Sequence, residues 1–268
     1  MLESPRELET LYRISVAVHR AVRDAQSSPH RGDVVAMGAS GTPTEEMDRL
    51  AESEILRFLD AEKIPWDLVS EEVGHVARGG ERTLVVDPID GSHNALRGQP
   101  IFTVSLALGR TDLGGVDAAL VRDLHHGTTW WATRGGGAYC DGRPIRTRRW
   151  DPRTEMLMVN LGRHATERAT RLAGKVRRVR SFGCASQEIV LVAQGSADGY
   201  FFENTPDGRN LRATDIAAAY RILLEAGGGM TDAAGVPLET FPLKLERRTS
   251  VLAWGDGGFR TGALGGYL

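Results

Sequence analysis

The feature that most constrains this chain is a short apolar run, Leu84-Val85-Val86, that stops at Asp87-Pro88-Ile89-Asp90-Gly91-Ser92. A β-branched run of this kind bounded by turn residues reads as a buried strand. Pro88 lacks a ladder donor and is expected to end the strand pairing, and Gly91 permits a sharp turn. Asp87 and Asp90 then lean into one space with the Ile89 carbonyl between them. Two carboxylates ~4 Å apart repel by a few kcal/mol at an effective dielectric of ~20. A hard divalent cation such as Mg²⁺, which takes oxygen ligands, relieves that cost. The bland alternative is a solvated Asp-Gly turn.

The surroundings are those of an enzyme-sized α/β protein. At 268 residues the chain exceeds a single ordinary core, and the pattern divides it into an N-terminal α+β subdomain, 1–150, and a C-terminal α/β subdomain, 151–268. Ser4-Pro5-Arg6-Glu7 opens an amphipathic helix. Thr44 is expected to cap a second one after a loop at 38–43. Strands are predicted at 67–70, 83–86, 102–108, 116–121 and 128–133, and Asp141-Gly142 marks a hairpin. These make a largely antiparallel sheet covered by helices. Beyond residue 150, strands at 156–160, 179–182, 200–202 and 251–254 alternate with helices at 166–175, 186–194 and 215–226.

Charge and cysteine content exclude several classes. Lys and Arg number 33 against 35 Asp and Glu, a net charge of -2, so no global field draws the chain to nucleic acid or to anionic lipid. No apolar stretch has the length of a membrane span, and the acidic start is unlike a signal peptide, so the chain reads as cytoplasmic. Cys140 and Cys184 lie outside any CxxC spacing and read as buried, inert thiols.

Taken in order, Ser70-Glu71-Glu72, then Asp87-Pro88-Ile89-Asp90-Gly91-Ser92, then Thr214-Asp215-Ile216-Ala217-Ala218-Ala219 leading to Glu225-Ala226-Gly227-Gly228 resemble the inositol monophosphatase family. Gly41-Thr42-Pro43-Thr44 and Leu211-Arg212-Ala213-Thr214-Asp215 most resemble its archaeal branch, which combines inositol monophosphatase and fructose-1,6-bisphosphatase activity. The resemblance implies a layered α/β/α/β/α sandwich. It also implies that Glu71, Asp87, the Ile89 carbonyl, Asp90 and Asp215 hold two or three Mg²⁺ ions, with Mn²⁺ as a substitute. Asp48, Glu71, Asp90 and Ser92 become the catalytic set, Asp48 and Ser92 together polarising the attacking water. Substrate contacts fall to Asp90, Gly91, Ser92, Gly183, Cys184, Ala185, Ser186, Arg212 and Asp215. A homodimer or tetramer acting on a small phosphorylated metabolite completes the expectation.

Read without the resemblance, several of these residues have ordinary explanations. An acid in the first turn of a helix, as at Asp215, is favoured by the macrodipole without any metal. Gly183 to Ser186 make a plain strand-to-helix turn whose free amides can face a sugar hydroxyl. Arg212 can reach an anionic substrate or lie on the surface. Ser92 and Ser40 depart from the resembled family, which usually has threonine and, in the archaeal branch, aspartate; the second departure predicts a weaker third metal.

Other signals carry no chemistry of their own. The basic stretch from Arg163 to Arg180 lacks interleaved aromatics and reads as a solvated helix face or an anionic-substrate rim rather than a nucleic-acid groove. His125-His126, on opposite sides of a strand, cannot chelate jointly. Gly135-Gly136-Gly137 is a turn, not a nucleotide-binding loop, and no GxSxG elbow or Cys/His pair indicates a covalent intermediate. The leading reading is therefore Mg²⁺-dependent hydrolysis of inositol 1-phosphate or fructose 1,6-bisphosphate by activated water. A nucleotide-type phosphatase acting on 3′-phosphoadenosine 5′-phosphate and a non-catalytic anion-binding relative are the rivals.

Overall fold

The structure, a computed structural model, describes residues 6–263 apart from 27, 29, 40 and 42, together with residue 265. The helix-opening Ser4-Pro5 and the departure at Ser40 lie outside the described residues. In chain order the elements are α1 (Arg6–Ala25), β1 (Val34–Met37), β2 (Pro43–Glu45), α2 (Glu46–Ala61), β3 (Asp67–Ser70), β4 (Gly74–Val76), β5 (Thr83–Asp90), α3 (Ser92–Leu96), β6 (Thr103–Gly109), β7 (Ala118–Asp123), β8 (Thr129–Thr133), β9 (Gly137–Cys140) and β10 (Arg143–Ile145). The second half adds β11 (Leu157–Val159), α4 (Glu167–Ala173), β12 (Val179–Arg180), α5 (Ala185–Ala193), β13 (Gly199–Phe202), α6 (Ala213–Glu225), β14 (Gly229–Thr231) and β15 (Val251–Trp254).

Five layers result. An eight-stranded sheet runs β10-β9-β8-β7-β6-β5-β3-β4 and a five-stranded sheet runs β12-β11-β13-β15-β14. Alternation along each strand assigns the layers. Leu84 and Val86 face a core built with α1 and α2, whereas Val85 faces Ile189 of α5 and Ile216 of α6. On the second sheet, Met158, Tyr200 and Ala253 join that same middle core, while Leu157, Phe201 and Leu252 turn outward to Leu172 of α4. The α/β/α/β/α sandwich follows from this period-two pattern, because each buried strand needs an apolar cover on both faces. Among the described residues no helix is long and apolar enough to cross a membrane.

Local expectations fail at three places. Thr44 does not cap α2: the stretch before the helix forms the β1/β2 hairpin, the N-cap is Glu45, and the Thr44 hydroxyl instead donates to the Glu72 carboxylate. His125 and His126 sit in the turn between β7 and β8, with their rings packed edge to face 4.6 Å apart. Pro88 does not end the pairing of β5, which continues to Asp90 through a register shift.

Candidate active site

That shift builds the site. On β6 the partners of Asp87 and Asp90 are Ser105 and Thr103, two residues apart, whereas the two aspartates are three apart. One extra residue therefore bulges out of β5, and it carries Pro88, which has no ladder hydrogen to lose. Without the bulge, alternation would send Asp87 and Asp90 to opposite faces. With it, both emerge on one. Gly91 follows at φ +83°, where an added Cβ would lie 3.0 Å from the Ile101 carbonyl oxygen, so only glycine turns here without strain.

Two other elements aim at the same point. β3 runs parallel to β5 with Ser70 beside Val86, so the next residue along, Glu71, lies beside Asp87. Asp215 stands in the first turn of α6 and accepts a 2.7 Å hydrogen bond from the Arg212 backbone N–H and a 3.1 Å bond from the Thr214 hydroxyl. Carboxylate oxygens of Glu71, Asp87 and Asp215 all lie within 4.8 Å of one another. Helix-dipole stabilisation of Asp215 and its place in this cluster thus coexist.

The electrostatics show what such convergence costs. Burial and then the charge of Asp215 push Glu71 up to about 7. Burial also raises Asp215, to about 6, against the hydrogen bond from Arg212. Asp87 is driven well above the usual carboxylate range by burial and by Glu71, Asp90 and Asp215. Arg212 offsets only part of this, its Nη1 lying 3.6 Å from Glu71 Oε1. At about 5 Å each like-charged pair costs about 3 kcal/mol for an effective dielectric of ~20. An all-oxygen donor set under this strain fits a hard divalent cation.

Asp90 is treated differently. Its Oδ1 accepts from the Ala185 amide at 3.2 Å, and its Oδ2 accepts from the Ser186 amide and hydroxyl, each at 2.6 Å. The carboxylate thereby satisfies the N-terminus of α5. Consequently the amides of Ala185 and Ser186 are not free for a sugar hydroxyl, which corrects the sequence expectation. Ser186 is fully buried and also hydrogen bonds Thr103. Gly183, Cys184 and Ala185 line the cavity.

The pair expected to polarise water stands on two different helices, α2 and α3. Asp48, in the first turn of α2, is pushed up to about 9 by burial, then by a hydrogen bond with Glu45 and the charges of Glu72 and Glu45. Ser92 opens α3 and lines the cavity. Among the described residues no hydrogen bond joins them. Arg212 is buried rather than displayed on the surface.

A cavity of about 280 Å³ includes the cluster, lined by Glu71, Asp87, Asp90, Ser92 and Asp215 together with Asn160, Tyr200, Phe202 and Leu211. A larger space of about 610 Å³ elsewhere, lined by His75, Arg110 and Lys244, holds none of these acids. The size, the acids and the turn all match one kind of protein. A family model for the inositol monophosphatase family matches residues 7–254. This chain belongs to the inositol monophosphatase family. The fructose-1,6-bisphosphatase/inositol-1-monophosphatase of Thermococcus kodakarensis is 37% identical across 83% of this chain and 82% of its own. Its namesake from Methanothermobacter thermautotrophicus is 32% identical across 91% and 90%. A solved inositol monophosphatase–fructose 1,6-bisphosphatase superposes with a TM-score of 0.81 at 27% identity, covering 96% of this chain and 97% of its own. As in these inositol monophosphatase relatives, the fold is the layered sandwich that the motifs imply, and the chain is a phosphatase of that family.

Sequence reasoning assigned no role at the site to four residues placed in or near it. Glu188, on α5, lines the cavity and is raised to about 7 by burial, while its carboxylate accepts from the Phe182 N–H at 2.9 Å. Asn160 stands at the end of β11. Glu52 and Glu72 extend the acids behind Asp48, both raised chiefly by burial; a signal existed in the one-turn spacing of Asp48 and Glu52 on one helix.

Proposed function

We propose that this chain hydrolyses small sugar or inositol phosphate monoesters, inositol 1-phosphate or fructose 1,6-bisphosphate among them, with Mg²⁺ at the acid cluster. The observation that carries the reading is the convergence of Glu71, Asp87 and Asp215 within 4.8 Å, each held above the ordinary carboxylate range. Those three side chains would hold the cation. Asp90 fits as a further ligand through Oδ1, which accepts a single hydrogen bond and keeps a lone pair, and the Ile89 carbonyl lies on the same cavity wall. Divalent cations bound there would supply neutralisation of the phosphate charge and a lowered pKa for a nearby water.

The chain's own residues do the rest. Glu71, raised to about 7, and Asp87, raised well above its usual range, hold protons more tightly than free carboxylates, so loading the site with a cation releases protons. Pairing of Asp48 with Ser92 during turnover would give the hydroxyl–carboxylate arrangement that orients a water for attack. The hydrogen bonds that Asp90 accepts fix the α5 N-terminus against the turn, so the phosphate-facing wall keeps its shape during turnover. By resemblance the working unit is a homodimer or tetramer, which sedimentation measures directly.

The test is phosphate release from inositol 1-phosphate, fructose 1,6-bisphosphate and 3′-phosphoadenosine 5′-phosphate, with Mg²⁺ or Mn²⁺ and with excess chelator. Cation-dependent release from the first two supports the proposal. Preference for the nucleotide moves the substrate class, and tight binding without any release makes the chain a non-catalytic relative.

A further inference from the structure

Asn160 directly follows β11 and lines the cavity together with Tyr200, Phe202 and Leu211. Its orientation follows from a chain of hydrogen bonds. Asn204 Nδ2 lies 2.6 Å from the Arg209 carbonyl oxygen, and a carbonyl only accepts, so this atom of Asn204 is its amide nitrogen. Asn204 Oδ1 is then an acceptor and takes a 3.0 Å bond from Asn160 Nδ2. The Asn204 backbone is itself held, its N–H donating to Asn210 Oδ1 at 2.9 Å. Asn160 therefore commits one of its two amide hydrogens inside the protein. Among the described residues none donates to its Oδ1.

We propose that Asn160 Oδ1 reads a hydroxyl group on the non-phosphate end of the substrate, making Asn160 a specificity-determining residue for polyhydroxylated phosphate monoesters. The assignment rests on the phosphatase reading above and deepens it. With the phosphate drawn to the acid cluster, a polyol places its hydroxyls against the rest of the cavity lining, Asn160 included. An aryl phosphate of similar size presents carbon there and gains nothing from a fixed acceptor. The tie through Asn204 makes the acceptor fixed, since rotation of the Asn160 amide would set its Oδ1 against Asn204 Oδ1, two acceptors with no hydrogen between them.

The experiment compares kcat/KM for inositol 1-phosphate with that for p-nitrophenyl phosphate in the full chain and in Asn160→Leu. Losing one neutral hydrogen bond to a hydroxyl is expected to lower the ratio of the two roughly tenfold, with the change in KM for the polyol. If Asn160→Leu does not fold, Asn160→Ser carries the same comparison with a smaller side chain. An unchanged ratio overturns the assignment while leaving the phosphatase reading intact. Absence of cation-dependent release from both compounds in the unaltered chain overturns the phosphatase reading, and this assignment with it.

Discussion

Two buried aspartates on either side of the middle layer show opposite ways of handling charge. Asp198, just before β13, meets Arg148 at 2.8 Å from Nε and 2.5 Å from Nη2 and also accepts from the Met156 N–H at 2.7 Å. Every charge there has a partner. At the cavity, by contrast, Asp87 and its neighbours face one another, and Arg212 Nη1, 3.6 Å from Glu71 Oε1, offsets only part of their repulsion. The first arrangement fastens the five-stranded sheet to the loop at 148. The second raises the free energy of the empty fold and lowers it again only when a cation arrives. Uncompensated charge thus marks function, and compensated charge marks structure.

The largest expected effect separates the two regions by activity. Asp87→Asn removes a ligand and one member of the repelling set, so turnover should fall by at least about a hundredfold. Metal-free thermal stability should rise or hold, because the substitution relieves repulsion. A variant that keeps turnover, or that loses stability as a structural residue would, breaks the contrast. Asp90→Asn sharpens it. That residue serves both regions, so it is expected to lose turnover and also to loosen the α5 N-terminus, measured as a lower metal-free melting temperature.

Next in size is the structural side. Asp198→Asn leaves Arg148 without its bidentate partner, and breaking a buried pair costs about 3 kcal/mol or more. Chemical denaturation should report that loss, while turnover per folded molecule stays at the unaltered level. A fall in kcat at full folding would show that the pair reaches the active site and would erase the distinction.

How much of this could be read beforehand differs by residue. Asp87 was legible because the apolar run before it and the turn residues after it mark the place locally, whereas the roles of Glu71 and Asp215 came with the resemblance, Asp215 alone reading as a helix-start acid. The α/β/α/β/α order was carried by the resembling motifs, and the strand alternation agrees with it. The bulge that turns Asp87 and Asp90 to one face was not legible, since it depends on the spacing of Ser105 and Thr103 on another strand. Pro88 marked the place but suggested an end rather than a bulge. Asn160 and Glu188 carried no local signal. An asparagine after a strand and a glutamate in a helix are commonplace, and only the stacking of the two sheets around α5 brings them to one cavity. The Asp48–Ser92 pairing, read from resemblance, is not made in this conformation.

The smallest effect, and the finest test of the contrast, is the pH dependence of stability. Glu71 rises from 4.5 to about 7 and Asp215 from 3.8 to about 6 in the folded chain. Between those limits the native state binds more protons than the unfolded state, so stability falls as pH rises. Metal-free protein should therefore melt a few degrees lower at pH 8 than at pH 5, with Asp48, raised to about 9, extending the decline. Mg²⁺ binds the deprotonated cluster, so millimolar Mg²⁺ should restore the melting temperature at pH 8 and change it little at pH 5. Asp87→Asn should flatten both responses, whereas Asp198→Asn should shift the whole curve downward without altering its shape. A metal-free curve that climbs from pH 5 to pH 8 would mean that the three carboxylates do not repel one another in the folded chain, and the cavity would then be no different from the Arg148–Asp198 side.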